Sequence, residues 1–341
     1  MKRETRNTWL AAAAGLGALA ATTLYLNRRG SYDLAGRVVL ITGGSRGLGL
    51  VLARQAVAEG AKVAICARDA DELERARQEL TQDGAEVLAL VRDLTSADEV
   101  RGLVEQVQRQ LGPIDVLVNN AGIITAGPLD HMDLPEYEDS MNTHFWAPLH
   151  AMQAVLPAMR RRGEGRIVNI ASVGGKVAVP HLAPYCASKF ALVGLSEGFR
   201  AELLQYGIQV TTVCPGLMRT GSARHAIVKG QHKKEYATFI IADSLPALTV
   251  DAESAARQIW NACRRGDAEL IIGLPAKVLS AFHGLLPGTT ANLLSWVNRA
   301  LPGPAGEAGD ERRRGYESES EVSRSWLTNL TRKAEKQNNE V

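Results

Sequence analysis

The sequence is poor in cysteine, in aromatic residues and in net charge, and each scarcity excludes a class of protein. The four cysteines, Cys66, Cys186, Cys214 and Cys263, stand singly in 341 residues, which disfavours a disulfide framework and a cysteine-ligated metal site. Aromatic residues make up 5% of the chain, and the formal net charge is +2. So small a charge gives no extended basic surface, and we expect no nucleic-acid partner.

The remaining composition is that of an ordinary globular protein. Hydrophobic residues make up 45% and charged residues 22% of the chain. A chain of 341 residues can form one large domain or two ordinary ones with a sizeable core. No shift in composition marks a domain boundary between Leu34 and Gly273, so we predict one main domain over residues 34–273.

Within that range, short apolar runs alternate with segments of helical periodicity. The runs are continuously apolar, as expected for strands that are covered on both faces. Such alternation predicts an α/β fold with a single Rossmann-type, doubly wound parallel sheet of about seven strands. The predicted strands are Val38–Ile41, Lys62–Ala67, Glu86–Val91, Val116–Val118, Arg166–Ile170, Gln209–Val213 and Glu269–Ile272.

A glycine-rich segment, TGGSRGLG, follows the first predicted strand at residues 42–49. Glycines leave backbone N–H groups bare at the start of the next helix, whose positive end attracts phosphate. We therefore predict that this segment binds the pyrophosphate of a dinucleotide. The spacing, Thr42-Gly43-x-x-x-Gly47-x-Gly49, differs from the GxGxxG of most Rossmann proteins.

This spacing resembles the TGxxxGxG motif of the short-chain dehydrogenase/reductase family, and further motifs follow in the family's order. NNAG at 119–122 follows the fourth strand, YCASK at 185–189 resembles the family's YxASK, and PG at 215–216 follows the sixth strand. The layout is similar to that of membrane-anchored NADP-dependent members, such as hydroxysteroid dehydrogenases and keto-sphinganine reductases. The resemblance covers residues 34–273.

Four residues form the candidate catalytic group: Asn142, Ser172, Tyr185 and Lys189. Tyr185 and Lys189 are four residues apart and share a helix face, so the ammonium group is expected to lower the pKa of the phenol from about 10. Tyr185 would exchange a proton with a carbonyl or alcohol oxygen while hydride moves to or from nicotinamide, and Ser172 would hydrogen-bond that oxygen. The resemblance implies that Lys189 binds the nicotinamide ribose and that Asn142 supports a water-linked proton relay.

The sequence favours NADP(H) as the cofactor. Enzymes that select NAD tend to carry an acidic residue at the end of the second strand, where this chain has Ala67 followed by Arg68. Arg46 lies in the glycine turn, and two guanidinium groups suit a 2′-phosphate. The resemblance implies that Asp93 contacts the adenine ring and that Thr220 helps to orient the nicotinamide amide.

The predicted cofactor-binding residues share one property, which is that they lie at strand ends or on the helices that follow. They are Thr42, Gly43, Ser45, Arg46, Gly47, Leu48, Gly49, Arg68, Asp93, Leu94, Asn119, Ala121, Gly122, Tyr185, Lys189, Pro215, Gly216 and Thr220. No metal site is predicted, because His225 and His232 lack partners at ligand spacing.

An uncharged segment, WLAAAAGLGALAATTLYL, occupies residues 9–26 behind a basic N-terminus at residues 1–8. As a helix it would span roughly 27 Å, with Trp9 and Tyr25 at the two interfaces. We predict a single-pass membrane anchor. Because NADPH is a cytosolic cofactor in practice, the predicted localisation is a membrane with the catalytic domain facing the cytoplasm. The Ala18-Leu19-Ala20 sequence resembles a signal-peptidase site, so cleavage after Ala20 stays open as an alternative.

Two further segments follow the main domain. Residues 274–301 form a predicted apolar helical extension, which would lie in a membrane interface or pack as a helix pair on the domain or an oligomer partner. Residues 302–341 are rich in glycine and charged residues, and this composition predicts a disordered tail.

The motifs together predict an NADP(H)-dependent carbonyl reductase or alcohol dehydrogenase. The predicted anchor suggests a lipophilic substrate such as a steroid, a sphingoid or a long-chain lipid. Two alternatives stay open: the same chemistry on a soluble carbonyl, with the anchor only setting location, and a non-catalytic nucleotide-binding scaffold. The resemblance implies a homodimer or homotetramer.

Overall fold

The computed structural model describes residues 32–82 and 84–341. A sheet of seven parallel strands lies at its centre, and each predicted strand is confirmed to within two residues. The strands are β1 (Val38–Thr42), β2 (Lys62–Ala67), β3 (Val87–Val91), β4 (Val116–Asn119), β5 (Gly165–Ile170), β6 (Ile208–Pro215) and β7 (Glu269–Ile272). Their spatial order is β7-β6-β5-β4-β1-β2-β3.

The order of the strands reverses beside β1, which pairs with β2 on one side and with β4 on the other. All residues of β1, β4, β5 and β6 are buried, which explains their continuous apolar character. In sheets of this class, ligands bind in the crevice beyond the carboxyl ends of the strands at such a reversal. The fold therefore places the candidate site at the ends of β1 and β4.

Helices connect the strands and flank the sheet. They are α1 (Gly47–Ala58), α2 (Ala70–Leu80), α3 (Ala97–Gln110), α4 (Leu134–Met141), α5 (Ala147–Arg162), α6 (Ala183–Leu203), α7 (His232–Ser244), α8 (Ala252–Arg265), α9 (Leu274–Leu285), α10 (Pro287–Asn298) and α11 (Asn329–Gln337). A π-helical turn, Asn142–Trp146, joins α4 to α5. Short strands lie at Thr125–Ala126, Leu217–Arg219, Ile227–Val228, Thr249–Asp251 and Arg313–Arg314.

The first turn of α8 provides a stability prediction. The Asp251 carboxylate accepts a hydrogen bond from the Ser254 backbone N–H at 2.8 Å. We expect Asp251→Ala to lower the free energy of unfolding by about 1 kcal/mol, because this N–H loses its partner. Chemical denaturation measures the change. Asp251→Asn keeps an acceptor oxygen and should unfold near the wild type, so equal losses in both variants would contradict the capping role.

Residues 302–341 are folded onto the rest of the protein, unlike the disordered tail that their composition favours. Residues 34–341 form one compact unit. The strand Arg313–Arg314 pairs antiparallel with Ile227–Val228, and the Thr331 hydroxyl lies 2.6 Å from the Ser244 hydroxyl. Such contacts offset the entropy of ordering, and a segment's own composition does not reveal them.

The predicted membrane localisation, with the catalytic domain facing the cytoplasm, is corrected by the structure. Across residues 32–82 and 84–341, no helix is long and apolar enough to cross a membrane. The helical extension consists of α9 and α10, and helices of 12 residues reach only about 18 Å against a hydrocarbon core of about 30 Å. The predicted anchor at residues 9–26 and the alternative cleavage site at Ala20 lie outside the described residues.

Candidate active site

A cleft of about 780 Å³ lies at the predicted edge of the sheet. It brings together most of the residues that the sequence singled out. Those that line it are Gly43, Ser45, Arg46, Gly47, Leu48, Arg68, Asp93, Leu94, Ala121, Gly122, Ser172, Tyr185, Lys189, Pro215, Gly216 and Thr220. Four predicted residues, Thr42, Gly49, Asn119 and Asn142, do not line it.

Three of those four support the cleft from behind. The buried Thr42 hydroxyl accepts hydrogen bonds from Asn120 N at 3.0 Å and Ala121 N at 3.1 Å. The Asn119 side chain donates to the Asn169 side chain at 2.8 Å in the core. Gly49 packs against the carbonyl of Gly43. Thr42 and Gly49 thus hold the loops of the cleft from behind, whereas Asn119 ties β4 to β5 in the core.

Asn120, which sequence reasoning passed over, joins the two loops of the cleft. Its side-chain amide donates to the carbonyls of Thr42 and Gly43, both at 3.0 Å. The glycine turn after β1 is thereby tied to the loop after β4. The only feature of the sequence that pointed to Asn120 was its position inside the NNAG motif at residues 119–122.

Ser172, Tyr185 and Lys189 converge at the inner end of the cleft. Tyr185 and Lys189 share one face of α6, and the Lys189 Nζ lies 5.7 Å from the centre of the Tyr185 ring. Ser172 lies two residues beyond the end of β5, and its Oγ accepts a hydrogen bond from Gly174 N at 3.0 Å. A carbonyl oxygen placed against the Tyr185 hydroxyl would therefore also be close to Ser172.

The pKa of Tyr185 moves in the direction opposite to the sequence-based expectation. Burial raises it to about 12, and a hydrogen bond with Ser172 only partly offsets that effect. The Lys189 Nζ donates to the Ile170 carbonyl at 2.9 Å, and burial lowers the pKa of this ammonium to about 7. Desolvation therefore outweighs the attraction between the two side chains, and Tyr185 stays a protonated phenol at neutral pH.

Asn142, the predicted relay residue, lies at the start of the π-helical turn with its side chain exposed. Its carbonyl accepts a hydrogen bond from Ala147 N and so closes that turn. The structure therefore does not bring the Asn142 side chain into the cleft. Thr143 and His144, its neighbours, line the cleft instead.

His144 connects the loop after β4 to the helix that carries Tyr185. Its Nε2 accepts a hydrogen bond from Ile123 N at 3.1 Å, so the proton resides on Nδ1, which donates to Ser188 Oγ at 2.8 Å. Ser188 in turn donates to the Tyr185 carbonyl at 2.8 Å. Burial holds the pKa of His144 well below its ordinary value, so the ring is neutral. The only feature of the sequence that pointed to His144 was its position two residues after the candidate catalytic residue Asn142.

The outer end of the cleft carries the groups suited to an adenosine phosphate. Arg46 extends from the glycine turn and pairs with Glu72 at 2.7 Å, while the exposed Arg68 follows β2. Asp69 accepts a hydrogen bond from Glu72 N at 2.9 Å and so caps α2. Asp93 lines the cleft and accepts two hydrogen bonds from Thr95.

The chain after β6 closes the opposite wall. Gly216 N donates to the Ile272 carbonyl at 2.9 Å, which holds the Pro215-Gly216 turn against β7. The Thr220 hydroxyl donates to Ser222 Oγ at 2.9 Å. Arg314, Tyr316 and Glu340 also line the cleft, although they come from the segment expected to be disordered.

The residues present fit a dinucleotide. A Cβ on Gly43 would lie 2.8 Å from Ala121 Cα and one on Gly49 2.0 Å from the Gly43 carbonyl oxygen, so only glycine permits this approach of the backbone. The turn leads into the N-terminus of α1, which has no side-chain cap, and the N–H groups at a helix N-terminus favour an anion. Basic groups stand at both ends of the cleft, Arg46 and Arg68 at one and Lys189 at the other.

Comparison with known proteins agrees with this geometry. A family model described as short chain dehydrogenase matches residues 37–229. The chain belongs to the short chain dehydrogenase family. A gluconate 5-dehydrogenase of Gluconobacter oxydans is 38% identical over 189 residues, which cover 55% of this chain and 74% of that relative. The ketoacyl reductase HetN of Nostoc is 39% identical over 183 residues, which cover 54% of this chain and 64% of that relative.

A solved structure of an actinorhodin polyketide ketoreductase variant with NADPH superimposes with a TM-score of 0.62. It is 32% identical and covers 72% of this chain and 98% of its own. Family membership makes the chain an oxidoreductase that acts on hydroxyl or keto groups with NAD(P). Members of the family typically act on small molecules and form oligomers.

Proposed function

We propose that the chain is an NADP(H)-dependent carbonyl reductase or alcohol dehydrogenase acting on a lipophilic ketone or alcohol. The observation that carries this proposal is the convergence of Ser172, Tyr185 and Lys189 at the inner end of a cleft whose outer end holds Arg46 and Arg68. A proton donor and a nucleotide-phosphate subsite thus share one crevice.

The choice of NADP(H) rests on charge at the outer end of the cleft. Ala67 ends β2 where an NAD-selective enzyme tends to carry an acidic residue, and Arg68 follows it. Arg46 and Arg68 would contact a 2′-phosphate, and Asp93 would contact the adenine ring. Glu72 pairs with Arg46, whereas Arg68 has no carboxylate partner among residues 32–82 and 84–341.

Each residue at the inner end of the cleft has a separate role in the proposed reaction. When bound, the nicotinamide supplies or accepts hydride. Tyr185, protonated because of its raised pKa, donates its proton to the carbonyl oxygen, and Ser172 hydrogen-bonds the same oxygen. Lys189, on the floor of the cleft, would hold the ribose, and His144 positions the helix backbone at Tyr185.

The proposed substrate class follows from the walls beside Tyr185. Ile123, Ile124 and Met218 line the cleft there and would contact an acyl chain or a ring system. The ketoacyl reductase name of one relative agrees with a keto substrate that carries an acyl group. The gluconate dehydrogenase name of another favours a second candidate, a soluble polar keto acid.

A turnover assay tests the proposal. Purified protein is given NADPH or NADH with a 3-ketoacyl thioester, a steroidal ketone or 5-ketogluconate. We expect NADPH oxidation with one of the first two. Oxidation only with 5-ketogluconate would overturn the lipophilic assignment, and tight NADPH binding without turnover of any carbonyl would favour a non-catalytic scaffold.

Arg68 provides a direct test of cofactor choice. We expect Arg68→Ala to raise the KM for NADPH about ten- to hundredfold, because a charge-assisted hydrogen bond to the 2′-phosphate contributes about 1.5–3 kcal/mol. The KM for NADH should not change, since NADH has no phosphate there. Arg109→Ala, an exposed arginine in the last turn of α3 and away from the cleft, is the matched control. A proportional change for both cofactors would exclude 2′-phosphate recognition by Arg68.

We also propose a homodimer or homotetramer formed through the helices near the site. Trp146 and Phe190 are large apolar residues that stay 45% and 42% exposed on the π-helical turn and on α6. Burial of such side chains would stabilise an interface. Light scattering of the purified chain measures the assembly, and a monomer at all concentrations would exclude it.

A further inference from the structure

The last residues of the chain lie across the glycine-rich turn. Gly47 N donates to the Asn338 carbonyl at 2.9 Å. The Asn339 side-chain amide donates to the carbonyls of Ser45 at 2.8 Å and of Glu72 at 2.9 Å. One backbone donor at the start of α1, which would otherwise face a phosphate, is therefore already bonded to the chain itself.

Glu340 completes this contact with a carboxyl group. Its side chain is 1% exposed, and its Oε2 lies 3.4 Å from Arg46 Nε and 3.3 Å from His225 Nε2. Its Oε1 lies 2.8 Å from the position that a Cβ on Gly47 would take. The carboxyl group is thus directed at the bare backbone of the turn, inside the cleft that also holds Tyr185 and Lys189.

The buried position of Glu340 is unfavourable for the charged form of its carboxyl group. Burial raises the pKa of Glu340 to about 8; Arg46 opposes this, whereas Glu72 and Glu335 add to it. Burial and Arg46 lower the pKa of His225 to about 4, so the imidazole is neutral and brings no charge. Glu340 Oε2 also has no hydrogen-bond partner. A ligand with more negative charge and better hydrogen bonding would displace this group.

The end of the chain is nevertheless held close to the turn. Arg54 of α1 donates to the Gln337 carbonyl at 2.7 Å, and the Asn338 amide donates to the Thr220 carbonyl at 3.1 Å. A short tether keeps the local concentration of a segment in the millimolar range, so a weak contact still competes with a free ligand.

We propose that residues 338–340 are an intramolecular ligand of the phosphate-binding turn and compete there with the dinucleotide. The proposal rests on the proposed function, because Ser45, Arg46 and Gly47 are the residues assigned to the nucleotide phosphates. Both occupants use the Gly47 N–H and the Arg46 guanidinium group, so only one binds at a time. The acidic C-terminal segment sets the apparent affinity for the cofactor.

Asn339→Asp tests this with a change of one group. A carboxylate cannot donate to the Ser45 and Glu72 carbonyls and would be repelled by both oxygens. Arg75 Nε, which donates to Asn339 Oδ1 at 2.9 Å, would keep its acceptor, but this exposed ion pair contributes at most about 1 kcal/mol. The segment should therefore leave the turn. The matched control is Asn329→Asp, the same change at an exposed position at the start of α11. Hydrogen exchange of residues 332–341 measures docking without nucleotide, and a fluorescence titration measures the Kd for NADPH in the full-length proteins.

We expect faster exchange in Asn339→Asp than in the wild type and the control, and NADPH should accelerate exchange in the wild type. The Kd for NADPH should fall about three- to tenfold in Asn339→Asp, because the binding-competent fraction rises. An unprotected segment in the wild type, added protection with NADPH, or an equal or weaker affinity in Asn339→Asp would overturn the competition. A protected segment with no binding of NADPH to any variant would instead contradict the proposed function, and with it the competition.

Discussion

Tyr185→Phe should lower kcat for carbonyl reduction by about 10²–10⁴-fold, the usual contribution of a general acid. The substitution removes one oxygen atom and leaves the ring, which packs edge-on against His144 at 5.4 Å between ring centres. Lys189 keeps its bond to the Ile170 carbonyl, so the ribose subsite is unchanged. The Kd for NADPH should therefore stay near the wild-type value, and steady-state kinetics together with a binding titration would measure both quantities.

The matched control for this prediction is Tyr206→Phe. Tyr206 is 41% exposed in the turn after α6 and stacks under Arg160, away from the cleft. Its loss of a hydroxyl should not change kcat. If Tyr185→Phe retained turnover, or if both variants lost it equally, Tyr185 would not be the proton donor.

The raised pKa of Tyr185 bears on the direction of the reaction. A group that must donate a proton is active below its pKa, and burial raises the pKa of Tyr185 to about 12, so the phenol is protonated at neutral pH. Reduction, which needs the phenol, is then favoured at neutral pH, whereas oxidation needs the phenolate and should gain as pH rises. The sequence placed Lys189 near Tyr185 correctly but could not weigh burial against charge, since burial depends on the packing of β5, β6 and α6.

The parts of the fold that were predictable depend on local pattern. The seven strands are continuous apolar runs, and the i,i+4 spacing of Tyr185 and Lys189 puts both on one helix face whatever the rest of the chain does. The glycine turn was predictable for the same reason, because the spacing of Gly43, Gly47 and Gly49 is a local backbone requirement.

The parts that were not predictable depend on contacts between distant residues. Glu340 reaches the turn at Gly47 from almost 300 positions away, and no local pattern near residue 340 indicates this. Asn142 occupies the place in the sequence where the resemblance implies a relay residue. In the structure, its carbonyl closes a π-helical turn and its side chain is exposed. Composition predicted disorder after Pro302 because it does not include the partners that order the segment.

Gly49→Ala should weaken NADPH binding at least about 100-fold, because a displacement of about 1 Å in a binding turn has effects of that size. The new Cβ would lie 2.0 Å from the Gly43 carbonyl oxygen and 2.6 Å from Asn120 Nδ2. Both are held in place, since Asn120 Nδ2 bonds the Thr42 and Gly43 carbonyls at 3.0 Å. The turn must therefore open and lose the close approach of its backbone to the phosphates. A fluorescence titration with NADPH would measure the loss.

Gly102→Ala separates this effect from a general response to replacing glycine in a helix. Gly102 lies inside α3, and an added Cβ would meet no atom within 4 Å. Alanine is favoured over glycine in a helix, so this variant should gain about 0.5–1 kcal/mol in stability and bind NADPH as the wild type does. If Gly49→Ala bound NADPH equally well, the close contact between α1 and the Gly43 carbonyl would not be what shapes the phosphate site. If Gly102→Ala also lost binding, the loss in Gly49→Ala would not report on the turn.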